Sequence, residues 1–237
     1  MIELPKEVKK AIDSFSEGLI KGPAGKDVLK IILFGSYVKG TAGRDSDIDL
    51  LIVTGNGEKV SQALADVTLE VQTRFRLGIE PVIVPVDDIF PVTSYFIYNV
   101  LRYGQEVFSV GKEELKLQER KNLVSLAEEY LASAEDALKG GHLRLAIDAA
   151  YNAIELYLKS LILREDDDLP GSHGGIIGRF SELYIKRGKW DKAIGREINR
   201  ALELRNRARY KYQASISKED AGKTIELAKR IEGLLEV

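Results

Sequence analysis

The stretch that decides the fold is Leu33-Phe34-Gly35-Ser36, followed after ten residues by Asp47-Ile48-Asp49-Leu50-Leu51-Ile52-Val53. The two parts belong to the runs Val28–Gly35 and Asp47–Thr54, which are short, rich in Ile, Val and Leu, and bounded by Gly or Asp. This pattern is typical of strands in a buried sheet. A third run of this kind spans Gly78–Pro85, and residues at helical spacing precede it. The sequence therefore predicts an α/β domain over residues 1–110.

The two aspartates of this stretch are candidate metal ligands. Side chains alternate along a strand with a period of two, so Asp47 and Asp49 project from the same face. Two adjacent carboxylates repel each other unless a cation lies between them, and a hard divalent ion such as Mg²⁺ is the natural partner. Glu80, on the third strand, supplies a possible third carboxylate. Two metal ions held by three carboxylates would activate an attacking hydroxyl and neutralise the leaving pyrophosphate of a nucleoside triphosphate.

The Gly35-Ser36 pair fits the phosphate end of such a substrate. A strand that stops at Gly-Ser and turns into a helix presents backbone N–H groups and a hydroxyl to an anion. Lys39 and Arg44 lie between this turn and the aspartates, where they could reach a triphosphate. Each part alone has a plainer explanation: Gly-Ser as a turn, Asp-x-Asp as a strand cap or solvated edge, and the two bases as surface residues.

The second half of the chain, residues 111–237, changes to helical periodicity. Breaks rich in Gly, Asp or Pro leave four or five helices, which predicts an all-α helical bundle domain. Within it, Lys186–Lys211 contains ten basic and three acidic residues. This excess could meet a triphosphate, an RNA backbone or the more acidic first domain, or it could be a solvated helix face.

Composition excludes several classes of protein. The 237 residues carry a formal net charge of −2 and contain no cysteine, which rules out a disulfide scaffold, a thiolate nucleophile and a thiolate zinc site. The N-terminus lacks the pattern of an export signal, and no apolar stretch approaches about 18 residues. We therefore expect a cytoplasmic protein without a membrane partner.

The motif of the first half resembles the minimal nucleotidyltransferases of the DNA polymerase β superfamily. Gly35, Ser36, Asp47 and Asp49 match the family pattern of Gly-Ser, about ten residues, then Asp-x-Asp. The resemblance implies a small mixed sheet flanked by helices, two Mg²⁺ ions, and transfer of a nucleoside monophosphate from a nucleoside triphosphate, ATP, to a hydroxyl. Tyr37 departs from the arginine that often follows Gly-Ser in the family.

The helical half resembles a HEPN domain, a bundle often encoded beside or fused to a minimal nucleotidyltransferase. The resemblance lies in Asp148–Lys159 and Gly171–Gly174. In HEPN ribonucleases the signature is Arg, a polar residue, about three more, then His. Here Arg205 and Asn206 begin the pattern, and Tyr210 stands where histidine is expected.

A phenol is a poor general base at neutral pH, so we do not expect metal-independent RNA cleavage at this site. Arg205 and Asn206 could still bind phosphate. In two-gene versions of the architecture, the nucleotidyltransferase adenylylates a tyrosine two positions beyond the signature histidine, and Tyr212 holds that place. Core packing is the competing explanation for Tyr210 and Tyr212.

These resemblances predict a fusion of the toxin–antitoxin type that transfers AMP to a hydroxyl of a protein tyrosine or of a small molecule. The layout is also similar to that of aminoglycoside nucleotidyltransferases, in which a helical domain and a dimer partner build the acceptor pocket, which implies a homodimer. The alternative function is a HEPN-type RNA-binding protein or ribonuclease toxin, or its relic, whose first domain senses nucleotide.

Overall fold

The computed structural model describes residues 4–92 and 94–235. The chain divides into two compact units between Gln118 and Glu119. The sequence placed the boundary at residues 110 and 111. The structure places it later because the helix that begins at Lys112 contributes Leu115 to an apolar core of the first unit.

The first unit is built on a four-stranded sheet with helices on both faces. Its strand order is β3-β2-β1-β4, in which β1 is antiparallel to β2 and β4, and β2 is parallel to β3. The predicted α/β domain with a mixed sheet is confirmed. The elements in chain order are α1 (Lys6–Lys21), β1 (Val28–Phe34), α2 (Gly35–Lys39), β2 (Ile48–Thr54), α3 (Gly57–Phe75), β3 (Ile79–Pro85), α4 (Tyr95–Tyr103) and β4 (Gln105–Ser109).

The two faces of β2 belong to different cores. Ile48, Leu50 and Ile52 pack with apolar residues of α1 and α3, whereas Leu51 and Val53 pack with residues of α4. Because side chains alternate along a strand, Asp49 shares the α4 face with Leu51 and Val53. The predicted ligand Asp49 is therefore the polar end of an otherwise apolar stripe.

Strand β3 forms one edge of the sheet and contains two prolines. Pro81 is paired in register with Leu50, and Pro85 ends the strand. Proline has no backbone N–H, so it is tolerated in a strand where that position does not bond to a neighbouring strand. The Ile48 N–H donates a hydrogen bond to the Gly78 carbonyl oxygen. The backbone N–H and C=O groups of even-numbered residues in β3 therefore face β2, and those of odd-numbered residues, which include both prolines, face outward.

Sequence analysis found β1, β2 and β3 but missed α4 and β4. Strand β4 has five residues, none of them fully buried, so it lacks the apolar run that identified the other strands. Helix α4 is dominated by aromatic residues, of which Tyr95 and Tyr103 are largely exposed. The helix has only nine residues, of which Ile97 and Val100 are buried.

The second unit is a helical bundle, as predicted. Its elements are α5 (Lys112–Lys139), which begins before the unit boundary, α6 (Leu143–Glu165), α7 (His173–Phe180), which continues into a π-helical turn over Ser181–Ile185, α8 (Lys192–Tyr210) and α9 (Lys218–Glu232). Helix α6 is central, since it packs against α7, α8 and α9 and carries the fully buried side chains of Tyr151 and Tyr157. No helix in residues 4–92 and 94–235 is both long and apolar enough to cross a membrane.

An aromatic cluster closes one end of this bundle. The Phe180 ring stacks on Tyr184 at 5.2 Å and meets the edge of Trp190 at 5.1 Å. The Tyr184 hydroxyl donates a hydrogen bond to the Leu161 carbonyl oxygen at 2.8 Å, which satisfies its polar atom in the interior. The cluster thus ties the turn after α7 to α6.

We expect Phe180→Ala to destabilise the second unit by about 3–5 kcal/mol, because it leaves a cavity beneath two aromatic rings. Trp190 is the single tryptophan of the chain, so the midpoint of its fluorescence change in urea reports this unit. The matched control is Leu145→Ala, whose side chain is 60% exposed and whose loss should cost under about 0.5 kcal/mol. Equal effects of the two variants would contradict this account of the core.

Candidate functional site

The site begins with a close approach between Asp49 and Gly35. Gly35 has φ +72°, and a Cβ built there would lie 1.8 Å from Oδ2 of Asp49, so only glycine leaves room for the carboxylate. The backbone N–H of Ser36 donates a hydrogen bond to this carboxylate. Since Phe34 pairs with Asp49 across β1 and β2, the sheet register fixes the contact.

The surroundings of Asp49 disfavour its charge. Burial raises the pKa of this carboxyl above its ordinary value, and the neighbouring Asp47 carboxylate raises it further. The Ser36 N–H and the positive charge of Lys39 act in the opposite direction without reversing the shift. A carboxylate held in such a state gains from a cation placed between it and Asp47.

Asp47 lies against a second glycine. A Cβ on Gly78 would come within 1.6 Å of Oδ1 of Asp47, so this carboxylate also needs a residue without a side chain opposite it. The loop before Asp47 is fixed by Tyr37, whose hydroxyl donates to the Ser46 carbonyl oxygen at 3.3 Å. The tyrosine that departs from the family pattern is thus a buried anchor for the loop that precedes Asp47.

Glu80 lies beside Asp49 on the neighbouring strand. The two residues are paired in register between the parallel strands β2 and β3, so their side chains share one face of the sheet. Glu80 is exposed on the edge strand. Within residues 4–92 and 94–235, no three acidic or histidine side chains stand close enough together to form a metal-binding group. The structure therefore brings Asp47 and Asp49 together, whereas Glu80 is paired in register with Asp49 but does not join them in a three-carboxylate cluster.

The predicted phosphate-binding residues follow directly after β1. Gly35 and Ser36 begin α2, a single short helix that ends at Lys39. Lys39 is exposed and close enough to Asp49 to influence its pKa. Arg44 is exposed in the loop between α2 and β2. All four lie in the segment that joins the two strands of the aspartate site.

A cavity of about 730 Å³ opens beside Asp49 and Lys39. Its far wall is α4, which contributes Phe96, Asn99 and Tyr103. Sequence analysis missed these residues because they lie about 50 positions after the aspartates and belong to no motif. The available signal was the run Tyr95–Tyr103, in which aromatic residues occupy helix positions that a buried core would not use.

In the second unit, Arg205 is already committed to internal contacts. Its side chain is 6% exposed, and Nε donates to Oδ1 of Asp148 at 3.1 Å. Its guanidinium lies over the rings of Tyr151 and Tyr210, at 5.8 and 5.9 Å from their centroids. These contacts stabilise the bundle and leave little of Arg205 accessible to a phosphate. Asn206, next to it, is exposed.

The two tyrosines of the HEPN pattern are exposed, so the core-packing explanation is wrong for both. Tyr210 is 65% exposed, with Arg205 and Arg209 over its ring, and Tyr212 is 87% exposed. Arg144 fixes the backbone around Tyr212 by donating hydrogen bonds to five carbonyl oxygens, those of Arg207, Ala208, Lys211, Tyr212 and Ala214. A rigid loop thus presents the Tyr212 side chain to solvent.

His173 takes part in a polar cluster that the sequence did not predict. Its Nδ1 contacts Oε2 of Glu155, which also accepts from the Tyr151 hydroxyl at 3.3 Å, while Oε1 of Glu155 pairs with Lys159 at 3.5 Å. Burial, and then the Glu155 charge, raise the pKa of Tyr151. The cluster joins the start of α7 to the middle of α6, which gives His173 a structural role.

Comparison with known proteins supports both domains. A sequence model of the nucleotidyltransferase domain matches residues 9–107, and one of the HEPN domain matches residues 121–237. One protein of Methanocaldococcus jannaschii, provisionally named a protein adenylyltransferase, is 41% identical over 69 residues, which are 27% of this chain and 47% of that protein. The chain thus spans about half the length of this relative.

Two further relatives come from the same organism. A second protein provisionally named a protein adenylyltransferase is 31% identical over 108 residues, covering 45% of this chain and 98% of that protein. A protein provisionally named a toxin is 31% identical over 93 residues, covering 39% of this chain and 69% of that protein. The matches therefore include relatives of both names.

We expect Gly35→Ala to disrupt the site, and Gly40→Ala provides a matched control. Both glycines have φ near +70°, but a Cβ at Gly40 meets no atom within 4 Å. Gly40→Ala should therefore cost only the left-handed backbone strain, about 1–2 kcal/mol. Gly35→Ala should cost more and also displace the Asp49 carboxylate. Urea unfolding, followed by hydrogen exchange of the amides in β1 and β2, measures the free energy of unfolding of both variants. Equal losses of stability would contradict the close contact between Gly35 and Asp49.

In buffer without divalent cations, Asp49→Asn should stabilise the first unit at neutral pH. The folded pKa of Asp49 lies above the ordinary value of 3.8, so between these values the folded state binds more protons than the unfolded state. Wild-type stability therefore falls as pH rises through that interval. The gain in unfolding free energy of Asp49→Asn is therefore largest at pH values above that interval and disappears below pH 3.8. Hydrogen exchange across this range tests the sign, and a less stable variant at neutral pH would contradict it.

Proposed function

The chain belongs to the nucleotidyltransferases, with a nucleotidyltransferase domain followed by a HEPN domain, and from this premise we propose that it transfers AMP from ATP to the hydroxyl of a tyrosine. The observation that carries the proposal is the pair Asp47 and Asp49, each held against a glycine on one face of the sheet beside the Gly35-Ser36 turn. The names of two relatives support AMP as the group transferred.

Asp47 and Asp49 would hold two Mg²⁺ ions, and Glu80 would complete the set. The donor chemistry fits, because all three are hard carboxylate ligands and two of them each lie directly against a glycine. When bound, the ions supply positive charge that lowers the pKa of the attacking hydroxyl and neutralises charge on the phosphates. Glu80 lies at an exposed edge, where its side chain is free to turn toward Asp49.

The transfer is an in-line displacement. The acceptor oxygen forms a bond to the α-phosphorus, the bond from that phosphorus to the oxygen bridging to the β-phosphorus breaks, and the electron pair leaves with pyrophosphate. Glu80 accepts the proton of the acceptor hydroxyl at a carboxylate oxygen. The Ser36 hydroxyl and the Lys39 ammonium bind the β- and γ-phosphates. Arg44 adds positive charge from the loop between α2 and β2.

For the acceptor, Tyr212 is the tyrosine that we propose first. Its phenol is solvent exposed on a backbone fixed by Arg144, so the side chain can enter another active site without local unfolding. Tyr210 is a weaker candidate because its ring lies beneath two guanidinium groups. By modifying Tyr212, the nucleotidyltransferase domain would act as the antitoxin of the HEPN domain, in keeping with the toxin names among the relatives.

RNA cleavage by the HEPN domain is a second candidate function, and it has less support. The basic residues of α8 favour binding to a polyanion. Arg205, however, is paired with Asp148 and buried, and tyrosine replaces the signature histidine. The HEPN domain of this chain is therefore better suited to receive a modification than to cut RNA.

The test is incubation of the full chain with ATP and Mg²⁺, followed by intact-mass and peptide mass spectrometry. We expect addition of one AMP unit, lost in Tyr212→Phe and kept in the matched variant Tyr210→Phe. Asp49→Asn should slow the addition by at least about a hundredfold, because charge stabilisation worth several kcal/mol is lost. AMP transfer that is indifferent to Asp49→Asn would contradict the proposed site. RNA loss that depends on Arg205 instead would favour the second function.

A further inference from the structure

The α4 side of the cavity beside Asp49 has no part in the chemistry assigned so far. Its volume of about 730 Å³ lies within the range of roughly 300–1,000 Å³ that is typical of small-molecule sites. Resting on the proposed nucleotide transfer, we propose that this cavity holds the base of the nucleoside triphosphate and that Asn99 reads the hydrogen-bonding edge of that base. Asn99 would then be the residue that selects adenine.

The topology of the sheet separates the two substrates. Glu80, the proposed acceptor-side base, lies on β3, which is the neighbour of β2 on one side. The cavity lies on the other side, where Phe34 ends β1 and Gly104 precedes β4. Gly35 and Lys39, which bind the phosphates, line the same cavity. The nucleotide therefore has a place for its base on the β1 side, and the β3 side stays open to the acceptor.

The walls of the cavity suit a flat ring. The rings of Phe34 and Phe96 meet edge to face at 5.5 Å, which fixes the orientation of Phe96. Phe96 is nevertheless 45% exposed, and Tyr103, which also lines the cavity, is more exposed still. Aromatic side chains left open beside charged groups are typical of sites that stack a planar heterocycle.

Asn99 contributes the side-chain amide of this wall, which carries a donor and an acceptor side by side. It is half-buried, and its amide makes no hydrogen bond within the part of the chain that the structure describes, residues 4–92 and 94–235. A half-buried amide without a partner has unused donor and acceptor capacity. Adenine offers an amino donor beside a ring-nitrogen acceptor, and a side-chain amide pairs with that edge through two hydrogen bonds.

The experiment measures equilibrium binding of ATP, GTP and inorganic tripolyphosphate to the full chain in Mg²⁺. Asn99→Ala should reduce the preference for ATP over GTP by roughly 5- to 150-fold, the value of one two-bond contact between an amide and a base. Tripolyphosphate binding should not change, because the phosphates do not meet Asn99. Tyr95→Ala is the matched control, since Tyr95 is on the same helix, exposed, and outside the cavity.

Asn99→Asp gives a second, opposite readout. A carboxylate only accepts hydrogen bonds, and guanine presents two adjacent donors, its N1–H and its amino group, whereas adenine pairs a donor with an acceptor. The added negative charge weakens the binding of every nucleotide, but the ratio of GTP affinity to ATP affinity should rise above that of the wild type.

The outcomes separate this inference from the proposed function. Unchanged ATP to GTP ratios in both Asn99 variants overturn the base-reading role, while AMP transfer that needs Asp49 would leave the proposed function intact. Loss of tripolyphosphate binding in Asn99→Ala overturns it as well, since Asn99 would then act on the phosphates. Wild-type protein that binds ATP and GTP equally overturns adenine selection. Wild-type protein that binds none of the three probes overturns both.

Discussion

The first domain depends on one steric constraint, the contact of the Asp49 carboxylate with the backbone at Gly35. The pairing of β1 with β2 brings the end of one strand against the acidic start of the other, and a side chain at position 35 would fill the space of the carboxylate. The same contact lets the Ser36 N–H bond to Asp49 and sets Lys39 close by. One glycine thereby allows the Asp49 carboxylate, the turn at Gly35-Ser36 and the Lys39 ammonium to lie close together.

The residues nearest to this contact were predictable from sequence, and those across the cavity were not. Asp47, Asp49, Gly35 and Ser36 lie at the ends of apolar strands, so periodicity and spacing indicate both their place and their chemistry. Gly78 gave no such signal, because its importance arises from the parallel register of β2 and β3. The cavity walls on α4 were missed for the same reason: tertiary packing brings them to Asp49, and their local pattern is merely aromatic.

In the helical domain, arginine side chains form internal ion pairs and hydrogen bonds. The sequence presented a basic segment whose partners were unknown, and the fold satisfies its key members internally. Within the segment, Arg205 and Arg209 pair with Asp148. Outside the segment, on α6, the Arg144 guanidinium donates to backbone carbonyl oxygens at and after the end of α8. A buried arginine of this kind is costly to remove, since Asp148 is then left with the exposed Arg209 as its ion-pair partner. The Tyr212 phenol, by contrast, stays exposed to solvent.

Strand β3 has a consequence for how the molecule meets others. An exposed sheet edge normally invites another extended chain to add to it. Pro81 and Pro85 lack the donors that such an addition needs, and the outward carbonyl of Ile79 already accepts a hydrogen bond from Gln72 at 3.2 Å. Intermolecular β-pairing and fibril growth are thereby discouraged along this border. The flank that carries Glu80 can stay uncovered at high protein concentration without becoming a point of aggregation.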